Sequence, residues 1–366
     1  MFFRIHTDGV RTPVDLRNHF AGPMASTCWI VGGGPSLEQA PCDRIQLSPV
    51  PRFSMNLCGF GRIRPDLWTA YDPTIRFHRT TFLNAAILKL LPARRARDVV
   101  PGTTYKVGDC PNTLFFERDG QCGFHNFHCT PAERAEPRVV DWQDSFIQAV
   151  SLAWWLGFRR LLLVGCDMHV RPPEEHIAAA AARGVTYESE ELLRGFYERC
   201  RAAGLEPAAL EADAPIQPYH FDETKSLAAA QQTDFHYFRV AQYLRLSRRA
   251  MALAGLELIS ATPNSRLNAF FPYRPAEELL DEIAQDLGDA ARETTRGQYA
   301  RRVEPGPQET GFMRDFRPHN WGAAGRGAAG PAVVPVDVAE RRMRFDRLAN
   351  AVAELPDVMV PIEEAG

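Results

Sequence analysis

A glycine run, a set of polar residues at expected strand ends, and two histidines are the groups in this chain best placed to do chemistry. "WIVGGGPSLEQ" (29–39) closes an apolar run with three glycines and continues with Pro-Ser. Gly32, Gly33 and Gly34 let a phosphate approach backbone N–H groups. Pro35 opens an expected helix whose amino terminus adds partial positive charge, and Ser36 adds a hydroxyl donor. A bare tight turn between strand and helix fits the same residues, because the Lys-Ser/Thr of a P-loop and the spaced G-x-G-x-x-G are both missing. Asn56 in "MNLCG", Tyr71 and Asp72 in "PDLWTAYDP", and Cys166 and Asp167 in "LVGCDMH" stand where strands should end. Polar side chains along one sheet edge suit a nucleotide, although Asn and Asp are also ordinary turn residues.

Transfer to a hydroxyl needs a base, and histidine titrates near neutrality. His220 in "QPYHFDETKS" is the preferred candidate, since Asp222 and Glu223 beside it could orient the ring. His236 in "QTDFHYFRV" is second; it falls on an expected helix among aromatic residues, where a satisfied, half-buried histidine is the commoner outcome. Tyr219, Tyr237 and Tyr105 offer hydroxyls for a leaving phosphate and are not ranked. "CPNTLFFERDGQCGFHNFHC" gathers Cys110, Cys122, His125, His128 and Cys129. Its ligand spacing matches no standard zinc module, so an unliganded loop and no metal are expected.

These residues need a scaffold. Apolar runs at 26–33, 52–58, 66–72, 159–167 and 256–265 read as strands, and 145–157 as a helix stopped by Gly157. Their alternation gives an α/β fold with a mostly parallel sheet and helices on both faces. One catalytic domain is expected over 1–294. It carries an aperiodic insertion near 110–140 and a helical insertion or lid near 170–215. Residues 295–366 form an irregular Gly/Pro/Ala-rich tail ending in one amphipathic helix near 336–354.

Forty-five per cent apolar residues and a net charge of −3 describe a globular chain with no polybasic excess that would require nucleic acid or an anionic membrane. "FIQAVSLAWWLGF" is too short to span a bilayer, and "MFFRIHTDGVRTPVDL" lacks the apolar core of a signal peptide. Eight scattered cysteines fit reduced thiols, hence a cytoplasmic location. Homo-oligomerisation stays open.

"IVGGGPSL", an asparagine-bearing strand and "RPDLWTAYDP" together resemble a Rossmann-type superfamily. It includes the bacterial CMP-sialic-acid-dependent sialyltransferases and the archaeal-type 6-hydroxymethylpterin diphosphokinase-like proteins. "SFIQAVSLAWWLGFRRLLLVGCDMHV" is similar to their serine-led helix and following strand, and "LELISATPNSRLNAFFPY" to their strand with a Pro-Asn-Ser turn. The likeness covers residues 27–275 in pieces. It implies a Rossmann-like sheet with Gly32, Gly33, Gly34, Ser36, Asn56, Asn264 and Ser265 around a nucleotide. The sialyltransferase branch implies a nucleotide-sugar donor, CMP-linked first, with no tightly bound cofactor, a histidine base, and a small-molecule or glycan acceptor. The diphosphokinase branch implies ATP and Mg²⁺ held by Asp72 and Asp167, with pyrophosphoryl transfer to a hydroxymethyl acceptor. Asp72 departs from the sialyltransferase pattern and sits closer to the second branch. A non-catalytic nucleotide- or glycan-binding protein is the third reading. An NAD-dependent oxidoreductase is disfavoured, because Asn56 stands where an acidic ribose ligand belongs.

Overall fold

The computed structural model describes residues 1–6, 8–20, 26–59, 61–77, 79–120, 138–188, 190–205, 216 and 224–286. Among them are eleven strands, nine of which form one sheet. In chain order the strands are β1 (Phe2–Ile5), β2 (Arg11–Val14), β3 (Thr27–Val31), β4 (Arg52–Met55), β5 (Leu67–Thr69), β6 (Leu88–Pro92), β7 (Thr113–Phe116), β8 (Arg118–Asp119), β9 (Val139–Val140), β10 (Arg160–Val164) and β11 (Glu257–Ser260). The sheet order is β11-β10-β3-β4-β5-β6-β7-β1-β2, and β8 pairs with β9 in a separate ribbon. Every neighbour pair from β11 to β7 is parallel, whereas β1 and β2 add an antiparallel edge. From β3 the chain steps outward through β4, β5, β6 and β7; β10 and β11 then fill the other side of β3. The winding direction therefore reverses between β3 and β10, and a crevice opens at such a point beyond the strands' carboxyl ends.

The described α-helices are α1 (Cys42–Leu47), α2 (Arg79–Leu83), α3 (Ser145–Leu156), α4 (Glu174–Ala181), α5 (Leu193–Ala202), α6 (Leu227–Leu253) and α7 (Ala276–Asp286). All five residues of β3 are buried, because both faces of the sheet are covered. Side chains alternate along a strand. Cys28 and Ile30 of β3, with Leu161 and Leu163 of β10, pack on α3 and α6. Trp29, Val31, Leu162 and Val164 point the other way, to Leu37, Ile45 and the α7 residues Leu279, Leu280 and Ile283. Helix α3, lying between sheet and α6, has eleven of its twelve residues buried. Asp144 caps its first turn, and Gly157 (φ 106°) ends it in the left-handed conformation.

Two largely buried ion pairs hold the frame. Arg52 and Asp66, 1% and 10% exposed, form a bidentate pair (Nε–Oδ2 3.0 Å, Nη2–Oδ1 2.9 Å) that joins β4 to the approach to β5. Asp234 of α6 accepts from the Val170 N–H (2.9 Å), the Leu193 N–H (2.8 Å) and Arg266 Nη2 (3.1 Å). This buried carboxylate fastens the α4–α5 segment and the turn after β11 to one helix.

Expectation and structure part in several places, among them β1, β2 and β6, for which no strand is expected. Residues 110–140 do not form a simple insertion, because Thr113–Phe116 is a fully buried strand of the main sheet. "TLFF" is four residues long, and the polar Cys/His context around it hides the signal. The helix expected from Pro35 is a five-residue 3-10 turn, Pro35–Gln39. No described helix is long and apolar enough to cross a membrane. The tail 295–366, His220, Tyr219 and four members of the cysteine–histidine group (Cys122, His125, His128 and Cys129) lie outside the described residues.

Candidate functional site

A cleft of about 460 Å³ opens at the carboxyl ends of β3, β4, β5 and β10, roofed by the first turns of α3 and α6. Gly32, Gly33, Gly34, Asn56, Asp72, Asp167 and His236 all line it, as do Tyr71, Tyr237 and Cys166. Asn264, Ser265 and Tyr105 do not. Asn264 is exposed at φ 55° beyond β11, two strands away from β3. Ser265 is buried; its Oγ donates to the Cys166 carbonyl (2.6 Å) and accepts from the Leu267 N–H (3.1 Å), so it braces the β10 loop from behind.

The glycine loop is packed rather than open. The Gly32 N–H donates to the Val164 carbonyl (2.7 Å) and the Gly34 N–H to the Gly165 carbonyl (2.8 Å). A Cβ on Gly32 would collide with the Gly165 carbonyl oxygen, and one on Gly34 with the Asp167 carboxylate. Ser36 Oγ donates to Asp167 Oδ2 (2.6 Å), and the Ser36 N–H faces Asp167 Oδ1 at 3.4 Å. The expectation that phosphate rests on the amides of Gly33 to Ser36 is therefore corrected. The Gly34 N–H is taken by the Gly165 carbonyl and the Ser36 N–H faces the Asp167 carboxylate, which leaves Gly33 as the cleft-lining amide of the loop with no such bond among the described residues. A five-residue 3-10 turn adds little macrodipole to attract an anion. Burial raises the Asp167 pKa, and the Ser36 hydroxyl only partly offsets that. Burial also lowers the pKa of His169, whose Nδ1 lies 2.9 Å from the Asp167 carbonyl; the Asp167 charge pulls the other way.

The opposite wall carries a carboxylate–imidazole pair. Asp144 Oδ1 accepts from the N–H groups of Phe146 (2.8 Å) and Ile147 (2.9 Å), which fixes the carboxylate on the end of α3. Its Oδ2 lies 3.0 Å from His236 Nε2. The imidazole side chain is 39% exposed while Asp144 is 13% exposed, so the acid is held inside and the base faces the cleft. With Nε2 donating to Asp144, the ring's lone pair is on Nδ1. Thr233, Ala229, Tyr237 and Lys225 line the same wall at helical spacing before and along α6, and Lys225 Nζ lies 3.3 Å from Thr233 Oγ1.

Along the floor, Asn56 has φ 49° and a buried Oδ1 with no hydrogen-bond partner among the described residues. An orphaned acceptor at a cleft wall is an unfilled demand for an N–H or O–H. Asp72 Oδ2 is paired with Arg76 Nη1 at 2.5 Å. The Tyr71 N–H donates to Ser145 Oγ (3.2 Å), and burial followed by the nearby Asp141 raises the Tyr71 pKa. Cys58 and Cys166 also line the cleft; burial pushes the Cys58 thiol up to about 12 and the Cys166 thiol well above its ordinary value. Both stay protonated at neutral pH, which makes them poor nucleophiles.

Asp144 and Lys225 were missed in the sequence. "DWQDSF" before an apolar helical run is an N-cap signal for Asp144, but nothing local shows that its second oxygen reaches a residue 92 positions away. Among the described residues no group of three His, Cys, Asp or Glu side chains is gathered to hold a metal ion. Comparison of the chain with protein-family models, curated proteins and solved structures found no match.

Proposed function

We propose that this chain is a nucleotide-dependent transferase with a Rossmann-like domain, of the glycosyltransferase kind that the sialyltransferase resemblance implies. The observation that carries the reading is the Asp144–His236 pair, 3.0 Å apart, facing the cleft at the switch between β3 and β10. In the proposed step, His236 Nδ1 takes the proton of an acceptor hydroxyl. The hydroxyl oxygen forms its bond to the anomeric carbon of the donor sugar from the face opposite the nucleotide. The bond from that carbon to the phosphate oxygen breaks, and its electron pair leaves with the phosphate. Asp144 stabilises the imidazolium that results. Lys225 and the Tyr237 hydroxyl, on the same wall, supply donors for the charge that develops on the phosphate. The Asn56 carbonyl takes a donor from the nucleoside or sugar. Compared with the first expectation, the leaving phosphate moves from the glycine loop to the α6 wall.

A thermal-shift panel of CMP, UDP, GDP, ADP and ATP, with and without Mg²⁺, tests this. Saturation at a hundred times the dissociation constant adds about 2.7 kcal/mol. The expected result is stabilisation by CMP or UDP without metal. Stabilisation by ATP only with Mg²⁺ would replace the reading with pyrophosphoryl transfer. No nucleotide effect at all would end both.

A further inference from the structure

Beyond Tyr71 the carboxyl edge of the sheet continues to β6 and β7, and arginines crowd there. Arg94 and Arg95 follow β6 in a 3-10 turn, and Arg118 opens β8 just past β7. Arg118 Cζ lies 4.3 Å and Arg94 Cζ 5.6 Å from the centroid of the Tyr71 ring. Arg95 Nη2 donates to the Tyr71 carbonyl at 3.2 Å. Three guanidinium groups thus gather on one residue of the cleft wall.

Carboxylates balance this charge only in part. Asp98 Oδ2 lies 3.3 Å from Arg95 Nη1, whereas Asp141 Oδ1 stays 3.6 Å from Arg118 Nη1, too far for a hydrogen bond. The Arg118 side chain is 8% exposed, and its Nη1 has no hydrogen-bond partner among the described residues. Arg94 is exposed and has no carboxylate partner among those residues. Burial, and then the charge of Arg94, lowers the pKa of Arg95 while Asp98 and Asp72 pull it back; at Arg118 burial lowers it and Asp141 pulls the other way. A structural ion-pair network would match its charges. An unbalanced one, with a withheld donor and a free guanidinium on one ring, is completed by an anion, and the guanidinium fork fits two oxygens of phosphate or carboxylate.

We propose that Arg94 and Arg118, braced on Tyr71, form an anion subsite for a phosphate or carboxylate group of the second substrate, the acceptor. Its use by an acceptor rests on the transferase reading; its affinity for an anion does not. The acceptor class is then anionic, with its charged group anchored beyond Tyr71 and its hydroxyl turned to His236 across the cleft.

Calorimetric titration of the full chain with inorganic phosphate, and separately with acetate, tests this. The stronger probe names the anion class. Arg94→Glu changes an exposed side chain and is expected to weaken that probe tenfold or more, with an unchanged unfolding midpoint. Arg118→Lys, which keeps the charge and loses the fork, is expected to weaken it less than Arg94→Glu does. The subsite is overturned if neither probe binds the unaltered chain, or if Arg94→Glu leaves binding intact. Nucleotide shifts in the same variant separate the two ideas. Their absence from the unaltered chain, alongside Arg94-dependent anion binding, removes the transferase reading and leaves the subsite standing.

Discussion

On the glycine-loop side of the cleft, Asp167 is drawn away from water and its carboxylate is occupied by Ser36. On the helical side, Asp144 gives one oxygen to the first turn of α3 and the other to a half-exposed imidazole. Two aspartates in one crevice thus have different work. The first closes a seam between the β3 and β10 loops; the second aims a group into open space. The difference teaches that a glycine run at a strand end is no proof of a phosphate bed, since close approach of two backbones needs glycine equally.

The contrast is open to direct attack. The largest effect is expected on the helical side. His236→Ala should lower turnover of the donor chosen by the nucleotide panel by about a hundredfold to ten-thousandfold while nucleotide binding persists. Steady-state kinetics beside thermal shifts would show it, and an equal loss on Ser36→Ala would erase the distinction between the walls. Next comes Gly32→Ala. Its methyl meets the Gly165 carbonyl, a backbone atom that cannot swing aside, so about 3 kcal/mol should be lost in a denaturant titration.

The smallest effect concerns Asp167→Asn. The unfolded carboxyl titrates at its ordinary value near 3.8 and the folded one above it. Between those two values the folded chain binds more protons, so this group's contribution to stability falls as pH rises through the window and stays lost above it. Asparagine carries no such dependence. The variant should gain stability at pH 7 and gain little at pH 4, as followed by urea midpoints at both values. A loss at pH 7 would mean that the Ser36 contact outweighs burial.

How much of this was written in the local sequence depends on the range of the interaction. The β3 and β10 strands, the α3 stop at Gly157 and the polar residues at strand ends follow from period and punctuation, and the structure brings Asn56, Tyr71, Asp72, Cys166 and Asp167 to one cleft. The helix expected at Pro35 stops after five residues because Ala40, directly before Pro41, is extended (ψ 149°), a breaker that the local sequence did hold. Asn264 and Ser265 were placed at the nucleotide by resemblance, whereas the strand order sets their turn behind the β10 loop. His236 ranks second to His220 as a base on sequence, since its partner Asp144 lies 92 positions away and no local window shows the pair. Burial of "TLFF" in the sheet was hidden by its short length.

Asp234 stands two residues before His236 on the same continuous helix, and it clasps the chain at Val170, Leu193 and Arg266. A 27-residue helix is a strut of about 40 Å, stiff on the scale of one turn. The Val170 and Leu193 amides and the Arg266 guanidinium are thus tied to the same rigid element that carries the imidazole. Lengthening or trimming the segment between Val170 and Leu193 should therefore alter the Asp144–His236 geometry, and with it the rate of the proposed reaction, although none of its described residues lines the cleft.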